Sequence, residues 1–262
     1  MNQYKNKFFY NFLFLLSFPL ILLIVLPLGK MLTGPGLKDL ALTIQDKEVL
    51  NALLRSILTS LSATLIAFVL GTPLAYLLAR KEFKGKKIVQ GIIDLPIMIP
   101  HPVIGIAILG LASRNTVLGQ IFQSLGIQIM GTYTGIITVL TFVGLPFYIN
   151  TARDGFESVS PRLEYVARSL GAGPWSAFFR ITFPLAWRNI ISGMIMCLAR
   201  AISEFGAVII VAYHPMTAPV LIYERFTAYG LKYSQPVAVW LIFISLVLFV
   251  SMRFLSPKTR ES

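Results

Sequence analysis

Apolar residues in this chain gather into six runs, each about 20 residues long, the length a helix needs to cross the hydrocarbon of a bilayer. The runs fall near 9–29, 56–79, 88–112, 132–150, 189–213 and 236–255, with polar and charged residues clustered between them. This pattern predicts an all-α integral membrane protein of six transmembrane helices. Between the fourth and fifth runs the period changes. Leu163, Val166, Ala167 and Leu170 recur at i, i+3, i+4 and i+7, one apolar stripe on a helix too short to span. Ser160 and Pro161 supply a hydroxyl N-cap and a first-turn proline. Gly171 supplies a left-handed C-cap, and Glu164 and Arg168 are placed to pair at i, i+4. Pro174 then opens a second short helix, with Trp175, Phe178 and Phe179 on one side. Those aromatics suit either a lipid interface or a docking surface for a soluble partner.

Two runs carry further signals. The second has small residues at four-residue steps, Ala63, Ala67, Gly71, Ala75 and Ala79, which let helix backbones approach closely within a bundle or between subunits. The third contains DLPIMIPHPVIG, with Pro96, Pro100 and Pro102 close together. Each proline removes a helical hydrogen bond and clashes with the preceding turn. Such backbone is tolerated at membrane depth only where it is buried in protein or lines a wet cavity, so this segment is expected to line a pathway.

Composition agrees with a membrane protein: 56% of residues are hydrophobic and 13% charged, against about 25% charged in soluble domains. Charge distribution adds an orientation. With both termini inside, the internal segments hold fifteen of the 23 Lys and Arg residues and the external ones seven, while Arg200 lies within a span. By the positive-inside rule, the short capped helix is cytoplasmic. The net charge of +12 is thereby explained by loops facing anionic lipid. No basic, aromatic-interleaved patch outside the loops indicates nucleic acid. The N-terminal apolar run from Phe8 to Leu28 follows Lys5 and Lys7 but exceeds a signal-peptide core, and it is read as a retained span.

Candidate chemistry is sparse. The single Cys197 excludes an internal disulfide, and His101 and His214 form no ligand cluster. There is no G-x-x-x-x-G-K-[ST] loop; Lys84-Gly85-Lys86-Lys87 lacks both its spacing and its hydroxyl. No nucleophile–base pair or metal set is visible, so the chain is read as non-catalytic. Asp94, Arg200 and Glu204 are the ionisable residues inside spans. Each costs on the order of 3 kcal/mol at a helix centre, so each needs a partner or water. Arg200 and Glu204 share a face four residues apart and neutralise each other, either as a packing pair or beside an anion pathway. His101 is either a packed histidine or a hydrogen-bond donor to a passing oxyanion.

The stretch SPRLEYVARSLGAGPWSAFFRITFP (160–184) resembles the loop that defines permease subunits of ABC importers: EAA, three residues, Gly, nine residues, Ile, two residues, Pro. Gly171, Ile181 and Pro184 fall on the Gly, Ile and Pro positions, and Ala167 on the second Ala. Tyr165 and Val166 stand where the family has its Glu and first Ala, with Glu164 adjacent. GTPLAYLLARKEFKGKK (71–87), DLPIMIPHPVIGIA (94–107), ARAISEFGAVIIVAYHP (199–215) and APVLIYERF (218–226) look like molybdate/tungstate importer permeases, and EFGA is shared with sulfate-type permeases.

The resemblance implies a type I ABC importer permease in the plasma membrane of a prokaryote. It would work as a homodimer beside two ATPase subunits and accept its oxyanion from an extracytoplasmic binding protein. ATP and Mg would sit on the ATPase, with no cofactor on this chain. It implies ATPase coupling by Glu164, Tyr165, Ala167, Arg168, Leu170 and Gly171, with Ile181 and Pro184 as motif positions. Asp94, Pro96, Pro100, His101, Arg200 and Glu204 are the expected pathway residues. The expected organisation is an N-terminal helix and external connection (1–52), a permease core (53–255) holding the coupling segment at about 156–184, and a cytoplasmic tail (256–262). A sulfate/thiosulfate permease is the near alternative. An ion-coupled secondary transporter is the distant one, expected to show broken helices in both halves, where the sequence displays one.

Overall fold

The computed structural model describes residues 2–254, with side chains from Phe9 onward; the expected tail 256–262 lies outside them. Every regular element among the described residues is helical. In order these are α1 (Asn2–Thr33), α2 (Leu37–Gln45), α3 (Lys47–Arg80), α4 (Lys86–Met98), α5 (His101–Leu111), α6 (Val117–Ser124), α7 (Tyr133–Ser158), α8 (Pro161–Ser169) and α9 (Pro174–Ala177). A π-helical turn at Phe178–Thr182 follows, then α10 (Phe183–Ile202), α11 (Gly206–Val211), α12 (Ala218–Tyr229) and α13 (Leu231–Phe254).

Among the described residues, five helical stretches are long and apolar enough to cross a membrane: Phe9–Thr33, Lys47–Arg80, Tyr133–Ser158, Pro174–Ile202 and Leu231–Phe254. The pair α4 and α5 passes the same test together but is bent by 114°, which accounts for the third expected span. The bend lies where Pro100 caps α5 and Pro102 occupies its first turn, as the missing proline donors demand.

The fifth expected span, 189–213, is corrected at both ends. Its helix begins at Pro174 and runs through the π turn, so the expected second short helix is the first turn of the span itself. It stops at Ile202, and the chain breaks at Ser203–Phe205 before α11. Hydropathy reads through this break because both sides are apolar. A second broken segment therefore exists where the sequence displayed one.

The bundle is built around α7, which packs against α3 on one side and α10 on the other. The small-residue ridge of α3 resolves as an intrachain contact, since Ala63, Ala67 and Ala75 are fully buried and a Cβ on Gly71 would lie 2.8 Å from the Tyr148 ring. Along the α7–α10 seam, a Cβ at Gly155 would come within 2.4 Å of the Asn189 Cβ. Gly155→Ala is therefore expected to lower stability by about 2 kcal/mol through overpacking, read as a fall in melting temperature in detergent. Gly91→Ala in α4, where nothing lies within 4 Å, is the matched control and should show no fall.

The two ends of the bundle are tied separately. At one end Arg80 donates to the carbonyls of Phe156 (2.8 Å) and Val159 (3.0 Å). At the other, Arg225 of α12 pairs with Asp46 at 2.5 Å and Glu48 at 3.3 Å, and Trp240 donates to the Leu40 carbonyl. Asp46 also caps α3 by accepting from the Glu48 N–H. Partial burial pushes its carboxyl up, but the bonds from Arg225 and Glu48 outweigh this and hold it below the usual range. α1 stands apart: none of its apolar window is buried within the chain.

Candidate functional site

The two broken segments meet at their breaks. Glycine permits the close approach of α5 and α11: a Cβ at Gly105 would lie 2.8 Å from the Ala207 carbonyl oxygen, and one at Gly206 3.0 Å from the His101 Cβ. α10 ends just after Arg200, with the Ser203 hydroxyl turned back onto the Ala199 and Arg200 carbonyls. One helical turn past Arg200, Glu204 closes a compact polar cluster. Its Oε2 accepts from the Arg200 guanidinium at 2.6 Å, and its Oε1 accepts the Ala207 N–H at 2.9 Å. The same guanidinium meets the His101 ring, whose Nε2 lies 3.9 Å from Glu204 Oε2.

Burial divides these roles. The Glu204 side chain is 1% exposed, Arg200 20% and His101 34%. The carboxylate is the buried anchor, while the cation and imidazole reach an open face of the chain. A buried carboxylate with two strong donors is satisfied, and the cluster as a whole is close to neutral. Pro100 is at the break beside His101. Asp94 and Pro96 lie elsewhere, on α4. Asp94 accepts from the Asn150 amide of α7 at 2.7 Å, and Pro96 is buried inside the helix. No hydrogen bond or ion pair among the described residues joins Asp94 to the Arg200 cluster.

The short capped helix forms as the spacing predicts, as α8 over Pro161–Ser169. Gly171 is left-handed at φ +92°. Its N–H bonds to the Arg168 carbonyl and that of Ala172 to the Ala167 carbonyl, both at 3.0 Å, the paired bonds of a Schellman cap. Two expectations fail locally. The Ser160 hydroxyl makes no capping bond, and Glu164 does not pair with Arg168. Glu164 turns inward instead. It accepts from Arg80 Nε (2.8 Å) and the Tyr76 hydroxyl (2.8 Å) on α3, and from the Thr182 hydroxyl (2.7 Å) in the π turn. A largely shielded, multiply donated carboxylate site outcompetes a solvent-exposed i, i+4 pair of a few tenths of a kcal/mol. Burial acts to raise the Glu164 carboxyl, but the bonds from Thr182, Tyr76 and Arg80 outweigh it and hold it below the usual range.

The outer surface of α8 is left open. Leu163, Tyr165, Val166 and Leu170 are 45%, 64%, 58% and 84% exposed, while Ala167 is half-buried. Arg168 is exposed. Ile181 is half-buried in the π turn and Pro184 sits exposed in the first turn of α10. Trp175 stacks on Phe179 beside them. Sequence reasoning missed Tyr76, Arg80 and Thr182, whose contacts with Glu164 span 88, 84 and 18 residues. The one available signal was an acid flanking the motif with no local partner that burial would favour.

A profile of the family described as binding-protein-dependent transport system inner membrane component matches residues 71–261, most of the chain. The chain belongs to that family. The chain is similar to the molybdate/tungstate transport system permease protein WtpB of Pyrococcus abyssi, at 47% identity over 244 residues, 92% of this chain and 93% of that protein. A probable sulfate transport system permease protein, cysT of Chlorokybus atmophyticus, is 31% identical over 243 residues, 90% of this chain and 85% of that protein. Among solved structures, a bacterial ABC transporter involved in import of the acidic polysaccharide alginate superposes with a TM-score of 0.75 at 19% identity, covering 98% of both chains. The fold is that of an ABC importer permease. In the binding-protein-dependent family, such a chain is the membrane component of the transport system.

Proposed function

We propose that this chain is the transmembrane permease subunit of an ATP-driven importer that carries molybdate and tungstate into a prokaryotic cytoplasm. The observation that carries this reading is the 47% identity to a molybdate/tungstate permease over nearly the full length of both chains, against 31% to a sulfate permease. The subunit works as a homodimer with two ATPase subunits and an extracytoplasmic binding protein. Both termini and α8 face the cytoplasm, as the Lys and Arg distribution favours. The unpartnered apolar face of α1 supports a second copy as its neighbour, and the exposed apolar stripe of α8 supports an ATPase against it. ATP and Mg belong to that ATPase.

Arg200, His101 and Pro100 border the anion route at the crossing of the broken helices, and Glu204 cancels the arginine's charge. An unneutralised guanidinium in a low-dielectric passage would hold a dianion, and conduction requires binding weak enough to release. Asp94 and Pro96 contribute through the shape of α4, with Asp94 fixed to α7 by Asn150. Residues 1–52 form an appended helix and connection, and 53–255 the permease core.

Reconstitution of the chain with its ATPase in vesicles, with binding protein on the external side, tests the reading. ATP-dependent accumulation of molybdate and tungstate over sulfate is the expected result. Uptake driven by an ion gradient in vesicles holding this chain alone overturns it.

A further inference from the structure

α8 is held to the bundle in an unusual way. None of its residues is buried. Among the described residues, every side-chain hydrogen bond that ties α8 to another element is donated to the Glu164 carboxylate. That carboxylate is 13% exposed and its partner Arg80 10%. All three Arg80 guanidinium nitrogens are engaged: Nε on Glu164, and the two terminal nitrogens on the Phe156 and Val159 carbonyls at the end of α7. Tyr76 stands edge-on to Phe156 and Phe178, which fixes its hydroxyl toward Glu164. Thr182, fully buried, is presented by the π turn, the kind of helical irregularity that recurs at functional positions.

We propose that Glu164 and Arg80, with Tyr76 and Thr182, form a rigid joint that delivers displacement of α8 to α3 and α7 at once, in parallel with the covalent path into the fifth span. Arg80 is a positioning residue for coupling. The carboxylate beside the loop motif serves this internal joint, while Tyr165 on the next position faces outward. A force applied to the exposed stripe of α8 has three routes into the bundle: the connection at Val159–Ser160, the connection at Leu170–Gly173, and this joint. Among the described residues, the side-chain hydrogen bonds that join α8 to α3 are those of this joint. Because the carboxyl is held below its ordinary range, the joint is fully formed above the unfolded carboxylate pKa and is lost only as pH falls through the lowered folded value. Coupling is therefore flat across the neutral range.

The inference rests on the importer reading, and its test separates the two. In vesicles holding the full complex, the measured quantity is molybdate transported per ATP hydrolysed. Absence of ATP-driven uptake in the unsubstituted complex overturns the importer reading. If that complex couples, Glu164→Ala is expected to lower the ratio about tenfold, the scale of losing hydrogen bonds to a charged group. Glu164→Gln, which keeps an acceptor oxygen, should be intermediate. A role confined to folding would lower the yield of complex and leave the ratio unchanged, and an unchanged ratio in Glu164→Ala overturns the joint. Should that variant not assemble, the pair Tyr76→Phe and Thr182→Val removes two donors and leaves the ion pair. A fall of about threefold is then expected, and an unchanged ratio again overturns the proposal.

Discussion

Glu204→Gln is expected to reduce ATP-driven oxyanion uptake about a hundredfold while the ATPase remains bound to the permease. The carboxylate is almost wholly buried, and its Oε2 is the ionic partner of Arg200. Breaking a buried ion pair by neutralising one member costs about 3 kcal/mol, and each 1.4 kcal/mol is a factor of ten. Glutamine still offers an oxygen to the Ala207 N–H, so the local fold is expected to persist. What changes is the net charge where α5 and α11 cross beside the end of α10, and there the unpaired guanidinium retains the anion. Uptake assays on the variant, with co-purified ATPase as control, check this, and unchanged uptake refutes it. The double variant Arg200→Met/Glu204→Gln removes both charges and is expected to recover part of the flux.

The second large effect is at the opposite extreme of burial. Val166→Asp combined with Leu170→Asp is expected to weaken attachment of the partner ATPase about a thousandfold, measured as the dissociation constant between purified subunits in detergent. Burying a leucine or valine contributes about 2 kcal/mol each, and a carboxylate in its place adds a desolvation cost. The fold of the isolated chain should be unaffected, because both side chains are already exposed, Leu170 at 84%. Unchanged affinity would mean that α8 couples through another face.

These expectations draw on features of unequal visibility in the sequence. The long spans were legible because 20 apolar residues have few soluble alternatives. The third span's break was legible because Pro96, Pro100 and Pro102 remove backbone donors. The fifth span's break was not: Ser203, Glu204 and Phe205 contain no proline, and the apolar content on either side keeps hydropathy high. α8 was legible from Pro161 and Gly171, since both act through backbone geometry that a local sequence dictates. Its side-chain ties were not. Spacing offered Arg168 as the neighbour of Glu164, whereas folding brought Arg80 from 84 residues away. A pair of that kind depends on how α3, α7 and α8 converge, and no helical period encodes it. The Arg200–Glu204 pair, by contrast, lies within one turn and was visible; that His101 joins it depends on the crossing of two broken helices. Asp94 illustrates the limit from the other side, for its membrane depth was evident but its partner Asn150 was not.

The π turn at Phe178–Thr182 has a consequence for how the fifth span is numbered by face. A π bond pattern accommodates one residue more than an α turn, and each residue advances an α-helix by about 100°. A helical wheel drawn without interruption from Pro174 to Ile202 therefore assigns the residues on one side of the turn to faces shifted by about 100° from where they lie. Trp175 and Arg200 cannot be placed on a common wheel. Chemical labelling patterns along this span should accordingly show two in-phase stretches separated by a slip, and a single-residue deletion inside the turn would realign them at the expense of the seat that Thr182 gives Glu164.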